Sequence, residues 1–279
     1  MIPIEPFALG PALLFCPADR PERYDKALQR ADAVILDLED AVAPDAKPMA
    51  RQAIGEHPLD PARVIVRVNP VGTEDFDRDL AALAMTQYRT VMLAKAESAQ
   101  QPPTLARLGS GYRVIALCET AQGIVAAGAI AAEPNVVGLM WGAEDLVASL
   151  GGTSSRFADG RYRLVASHAR SQVLLAAAAN GKAAIDSVYL NIGDLEGLSI
   201  EASDAAASGF AATACIHPSQ VPVIRDAYRP GAEETAYAHA VLAAASGQRG
   251  VFRFRGRMID APVLRHAEHV LSRASAVGP

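Results

Sequence analysis

The sequence predicts an α/β fold, a (β/α)8 TIM barrel followed by a C-terminal helical extension, and three observations carry that expectation. Short β-type apolar runs alternate with alanine-rich stretches long enough to be helices, the pattern of a parallel sheet covered by helices. Eight such runs follow one another, which suits a closed barrel better than an open sheet. The chain has 279 residues, enough for a barrel of about 250 residues, and part of it continues past the eighth run.

In order, the strand candidates are 12–17 (ALLFCP), 33–39 (AVILDLE), 64–69 (VIVRVN) and 90–96 (TVMLAKA), then 113–120 (RVIALCET), 136–141 (VVGLMW), 184–189 (AIDSVY) and 212–218 (ATACIHP). A turn, ADRPE, and a helix through Ala31 follow the first, and further helices are expected over 76–84, 123–132, 162–179 and 200–208. The stretch 98–111 is polar with two prolines and reads as a surface loop leading into a helical turn. An open doubly wound sheet is the alternative, but no GxGxxG follows the first strand. The barrel domain is expected over 1–229, with its last helix at 222–228. RPGAEE (229–234) reads as a break, and 230–279 as an extension with a helix at 234–245, a GQRG turn, the run FRFRGRMIDAP (252–262) and a terminal helix. A closed barrel does not need this tail, so it is expected to cap something or to pack on a neighbouring subunit.

Composition narrows the class. Hydrophobic residues make up 51% of the chain and charged residues 20%, as in a soluble protein with a large core. A net charge of −5 excludes the broad basic surface that nucleic acid needs. No apolar run reaches the roughly 18 residues of a membrane span. The N-terminus carries an early acid and no basic region, unlike a signal peptide. Three cysteines, each in or beside an apolar run, make an odd set without a disulfide framework, and the expected location is cytoplasmic.

In a barrel the C-terminal ends of the strands share one face, so their polar residues converge. The candidates there are Asp37, Glu39 and Asp40, then Arg67 and Asn69, Lys95 and Glu97, Glu119, Glu144 and Asp145, and His217. Clustered carboxylates resist ionising together, and a hard divalent cation removes that conflict. Mg2+ takes one or two carboxylates plus other oxygens, which suits Glu119 and Asp145 on neighbouring strands. Arg67 offers a planar fork able to grip a carboxylate in two places. Other readings stay open: Asp145 as an N-cap of the next helix, the acids of 37–40 as structural partners of Arg20 or Arg67, and His217 as a loop anchor. Lys95 reads either as a Schiff-base lysine or as a salt-bridging one.

The blocks LFCPADRPERYDKAL (14–28), AVILDLEDAV (33–42), VRVNPVGT (66–73), CETAQGI (118–124), GAEDL (142–146), IHPSQV (216–221) and GRMIDAP (256–262) together resemble the citrate lyase β-subunit-like (CitE-like) branch of the HpcH/HpaI aldolase/citrate lyase family. The resemblance spans nearly the whole chain. It implies a barrel enzyme, homotrimeric or a higher homo-oligomer, that holds Mg2+ with Glu119 and Asp145. Arg67 would hold the carboxylate of a 2-keto acid, with help from the backbone of Gly142, Ala143 and Glu144. Asp37, Glu39 and Asp40 would order the metal-bound waters. Arg20, Arg23 and Lys26 would be the candidates to meet the phosphates of an acyl-CoA. Asp260, delivered by a neighbouring protomer, would be the acid that meets the thioester enolate.

The implied activity is carbon–carbon cleavage of a citramalyl- or malyl-type 3-hydroxyacyl-CoA to acetyl-CoA and a 2-keto acid by retro-Claisen chemistry. A citrate lyase β subunit acting on citryl-acyl carrier protein and a non-catalytic keto-acid-binding barrel are the alternatives. Two departures from the family pattern stand out: Thr213 where relatives often carry lysine, and Met140–Trp141 where they often carry phenylalanine. The tryptophan either reshapes the acyl pocket or packs against a helix.

Overall fold

The structure is a computed structural model, and it describes residues 7–248 and 250–276. Eight parallel strands close on themselves in sequence order, β1 (Ala12–Pro17), β2 (Ala33–Asp37), β3 (Val64–Val68), β4 (Thr90–Leu93), β5 (Arg113–Cys118), β6 (Val136–Trp141), β7 (Ala183–Asp186) and β8 (Ala212–Cys215), with β8 pairing back onto β1. The (β/α)8 expectation is met. The strands are buried on both sides, so they read as continuous apolar runs.

Alternation along each strand separates two layers. Leu13, Ile35, Ile65, Met92, Ile115, Leu117, Met140, Ile185, Ala212 and Ala214 fill the barrel interior. By the same alternation Asp37, Arg67 and Glu119 point to the axis one layer higher. Their neighbours Leu36, Val66 and Cys118 face the helices.

The helices are α1 (Tyr24–Arg30), α2 (Lys47–Glu56), α3 (Glu74–Ala84), α4 (Ala121–Ala131), α5 (Ala143–Ser149), α6 (Leu164–Ala179), α7 (Leu195–Ser208), α8 (Gln220–Tyr228), α9 (Ala232–Ala245) and α10 (Ala261–Ala276). In α6 the buried residues Ala166, Ala169, Val173, Ala176 and Ala177 recur at helical spacing and form the sheet-facing stripe. Caps set three starts earlier than apolar pattern alone implies: Thr73, Thr120 and Asp194 accept hydrogen bonds from the amides of Phe76, Gly123 and Gly197. α6 begins later than expected, because Tyr162 is drawn into a bridge with Arg156. α2 was not anticipated as a helix, and α5 was expected only as the helix that Asp145 would cap. The loop at 98–111 contains a 3-10 turn over Pro102–Leu108.

Six strands end earlier than the apolar runs suggest: β2 at Asp37, β3 at Val68, β4 at Leu93, β5 at Cys118, β7 at Asp186 and β8 at Cys215. The ladder past them thins to single bonds, from Leu38 N to Arg67 O and from Ala96 N to Leu117 O. Glu39, Lys95 and Glu119 therefore sit in short loops above the sheet.

The chain divides into two compact units, Met1–Ile224 and Arg225–Pro279. In the second, the hairpin β9 (Phe252–Phe254) and β10 (Arg257–Ile259) joins α9 and α10 around Ala238, Val241, Ile259, Ala267 and Val270. The hairpin turns through Arg255 and Gly256, both at positive φ. Of the expected N-terminal segment, residues 1–6 lie outside the described residues, as does Arg249 in the GQRG turn. No described helix is long and apolar enough to cross a membrane.

Candidate active site

The C-terminal mouth of the barrel gathers five carboxylates around two cations. Asp37, at the end of β2 and fully buried, caps its own loop by accepting the amides of Glu39 at 2.9 Å and Ala41 at 3.1 Å. It also takes one edge of the Arg67 guanidinium, from Nε at 2.7 Å and Nη2 at 2.5 Å. Nη1 of Arg67 lies 2.9 Å from Glu39 Oε2 as an ion pair. The Phe15 ring faces the guanidinium at 5.0 Å. Burial works against the Arg67 charge, but Asp37 and Glu39 outweigh it and raise its pKa. The expected two-pronged grip on a ligand thus meets a fork whose Nε–Nη2 edge is already taken by Asp37.

Glu119 follows β5 and is almost wholly buried. Its Oε1 accepts the backbone amide of Lys95 at 3.0 Å. Burial first, then the charges of Asp145 and Glu39, push its carboxyl up to about 8. Gly142 makes room for it: a Cβ there would lie 2.8 Å from Glu119 Cβ and 2.9 Å from Oε2. Lys95 reaches across the mouth, pairing with Glu39, with Asp40 at 3.2 Å and with Asp145 at 3.7 Å. Burial lowers the Glu39 carboxylate's tendency to ionise more than Arg67 and Lys95 promote it, so its pKa is raised. For Lys95, burial opposes the charge and Glu39, Glu119 and Asp40 overcome it, raising its pKa.

These contacts decide between several readings. Asp145 sits inside the first turn of α5, and Gly142 holds the cap position, so Asp145 is not the N-cap. Lys95 is a salt-bridging lysine. Arg67, not Arg20, partners the acids of the β2 loop, and Arg20 is exposed beside Asp19 at 3.8 Å. Glu144 turns away from the cluster and accepts from the buried Ser155 hydroxyl at 2.6 Å. Trp141 is fully buried on the helix side of β6, where its Nε1 donates to Asp186 at 2.7 Å and its ring meets Tyr162 edge-on. Packing, not pocket shape, is its role. Thr213 lies buried in β8 between the axis-facing Ala212 and Ala214, so its side chain points away from the barrel axis.

Beside the mouth a cavity of about 570 Å3 opens between β1, α1 and the loop after β8. Lys26 lines it together with Arg23, Arg30, His217 and Ser219. His217 is also a loop anchor, its Nδ1 2.7 Å from Ser219 Oγ. Arg30 was missed from sequence because it closes a helix rather than a strand. Asp260 belongs to the second unit, where it starts α10 and its Oδ1 accepts the Val263 amide at 3.3 Å.

Further support for the mouth was also missed. Asp79 on α3, fully buried, accepts from Arg51 Nε at 2.7 Å and from Asn69 N and Nδ2 at 2.9 and 2.7 Å. Asn69 in turn donates to the Leu38 carbonyl at 2.9 Å, between Asp37 and Glu39. Only the acid-rich start of α3, EDFDRD, hinted at it in the sequence.

Among the described residues, no group of three or more His, Cys, Asp or Glu side chains converges on one metal position. The expected donor set is the pair Glu119 and Asp145. Their mutual repulsion, with Glu119 held through Oε1 by the Lys95 amide, fits a small oxygen-seeking divalent cation that brings its own waters.

The chain matches the family model HpcH/HpaI aldolase/citrate lyase over residues 12–218. It is 60% identical over 267 residues to a citrate lyase subunit beta-like protein of Mycobacterium tuberculosis, covering 96% of both chains. It is 30% identical over 296 residues to the mitochondrial citramalyl-CoA lyase of Homo sapiens, covering 95% of this chain and 86% of that protein. The fold superposes with a TM-score of 0.90 on the M. tuberculosis CitE protein solved in complex with magnesium, acetoacetate and coenzyme A, at 60% identity over 96% of this chain and 99% of that one. The barrel, its ring of acids and these similarities lead to one assignment: the chain belongs to the HpcH/HpaI aldolase/citrate lyase family, in its citrate lyase β-like branch.

Proposed function

We propose that the chain is a Mg2+-dependent carbon–carbon lyase that cleaves a 3-hydroxyacyl-CoA of the citramalyl or malyl type into acetyl-CoA and a 2-keto acid. The observation that carries this reading is Glu119: a buried carboxylate held by one oxygen, repelled by Asp145 and backed by a glycine. Similarity to a citramalyl-CoA lyase, and to a CitE protein that binds magnesium and coenzyme A, supports it.

Glu119 and Asp145 would hold the cation, which supplies Lewis acidity toward the substrate's hydroxyl and carboxylate oxygens. Arg67 uses the Nη1 side of its guanidinium for the carboxylate of the keto-acid portion, while Asp37 keeps the group from rotating. The backbone of Gly142, Ala143 and Glu144 borders the same position, with Glu144 held by Ser155. Glu39 and Asp40, steadied by Lys95, order water around it. As the C3 hydroxyl passes its proton to a water ordered by Glu39 and Asp40, the C2–C3 bond breaks and its electron pair passes into the thioester enolate. Asp260 of a neighbouring subunit then protonates C2 of that enolate, leaving the acetyl thioester. Lys26, with Arg23 and Arg30 in the adjoining cavity, receives the anionic end of the carrier, and the exposed Arg20 extends that basic edge. A cytoplasmic homotrimer, with the tail of one subunit (230–279) over the barrel of the next (1–229), completes the proposal.

Similarity to a citrate lyase subunit beta-like protein favours a second reading, a citryl thioester on an acyl carrier protein. One screen separates them. Incubation of the purified chain and Mg2+ with malyl-, citramalyl- and citryl-CoA should release a keto acid from one of the first two, and EDTA should stop it. Release only from citryl-acyl carrier protein would favour the second reading, and no release from any thioester would sink both.

A further inference from the structure

Lys95 stands apart in two ways. It and Arg255 are the non-glycine residues at positive φ among the described residues, and Lys95 has φ +48. It is also bound at both ends to the acid cluster. Its amide holds Glu119 Oε1 at 3.0 Å, and its ammonium meets Glu39, Asp40 at 3.2 Å and Asp145 at 3.7 Å. The left-handed turn after β4 lets one residue do both, sending its N–H to the β5 loop and its side chain towards the β2 loop and α5.

From this juxtaposition we infer that Lys95 is the built-in counter-cation of the site, a positioning residue that gathers Glu39, Asp40 and Asp145 when no metal is bound and competes with the divalent ion at Asp145. The inference rests on the metal reading proposed above. Five carboxylates (Asp37, Glu39, Asp40, Glu119 and Asp145) face the two cations Arg67 and Lys95. With so large an excess of negative charge the pocket repels a keto-acid carboxylate and overbinds metal. The ammonium acts on both in opposite directions. It repels an incoming cation and attracts an incoming anion, so it weakens metal binding while making the loaded site receptive to the substrate. The link to Asp145 is the longest of its three, and that is the one a metal at Asp145 displaces while Glu39 and Asp40 keep hold of the lysine.

The test compares Lys95→Met with the wild-type chain in two equilibrium titrations: Mn2+ followed by electron paramagnetic resonance, then pyruvate followed by calorimetry at saturating Mn2+. Lys95→Met is expected to bind Mn2+ about tenfold more tightly and pyruvate about tenfold more weakly, a split of opposite signs that no loss of folding produces. Lys95→Arg keeps the charge and should restore both affinities to within about threefold of wild type. Lys95→Gln, neutral but able to donate to Glu39, repeats the measurement with less disturbance of packing and must show the same split. Equal or weaker Mn2+ binding by both neutral variants would reduce Lys95 to a structural brace and overturn the inference. Absence of Mn2+ binding by the wild-type chain would instead remove the metal reading on which it stands.

Discussion

Glu119 keeps its place because Gly142 has no side chain. Both lie on loops that leave adjacent strands, and the Glu119 carboxylate occupies the volume in which a Cβ of residue 142 would stand, 2.8 Å from Glu119 Cβ. Gly142 has φ −122, which alanine adopts freely, so Gly142→Ala acts through that clash alone. The substitution should weaken Mn2+ binding at least tenfold while the thermal midpoint changes by only a few degrees, as paired titration and melting would reveal. The same carboxyl imposes a pH dependence. Its folded pKa of about 8 lies above the ordinary 4.5, so between those values the unfolded chain has released a proton that the folded chain retains. Stability from this group is therefore complete below about 4.5 and is lost as pH rises towards 8. Melting in EDTA at intervals from pH 5 to 8.5 should show that decline, and Glu119→Gln should flatten it. An unchanged slope in the variant would assign the decline to other groups.

At the scale of elements, the mouth is held from below by helices that touch no substrate. Arg51 on α2 and Asp79 on α3 meet between the helices, and Asp79 passes the connection through Asn69 to the Leu38 carbonyl beside Glu39. Asp79→Ala would leave Arg51 Nε and the buried Asn69 backbone amide without their acceptor, while Asp75 would still hold Arg51 Nη2. The expected cost is about 3 kcal/mol, read as a shift of the urea midpoint. Asp79→Asn, which keeps an acceptor oxygen, should lose less. The loop at 150–163 is braced in a similar way. Arg156 lies flat on Tyr162 at 3.7 Å and near Tyr189 at 4.9 Å, and pairs with Glu201 on α7 at 2.7 Å. Arg170 on α6 grips Asp186 at 2.8 Å, and Asp186 accepts from Trp141. Little of this was legible in sequence. An arginine that stacks on tyrosines and one that lies in solvent look alike along the chain, because much of the difference is made by Tyr189 and Glu201, which lie far along the sequence.

At the scale of the molecule, the acids and Arg67 lie in the barrel unit and Asp260 in the other. Asp260, just before α10, accepts the Val263 amide within its own unit. If the tail of one subunit serves the barrel of its neighbour, complementation follows. Glu119→Gln and Asp260→Asn chains should each be nearly inactive alone. Co-expressed and purified as mixed oligomers by two tags, they should recover a substantial fraction of the wild-type rate. Recovery would fail if every site drew its acid from its own chain.

The sequence by itself determined the periodicity of the barrel, the positions of its eight strands to within a few residues, and the order of polar residues at their ends. These are local properties, set by runs of buried apolar residues and by caps such as Thr73 and Thr120. Because every parallel strand points the same way, they also foretold that Glu39, Arg67, Lys95, Glu119 and Asp145 would share one face. Only the tertiary structure decided how those residues divide their bonds. Asp37 claims one edge of the Arg67 fork, Lys95 takes a left-handed turn to serve four carboxylates, and Glu144 leaves the cluster for Ser155. The physical reason is that charge pairing depends on distances of a few ångströms between separate loops. Strand order brings those loops to the same mouth, and burial then decides which partners are within reach.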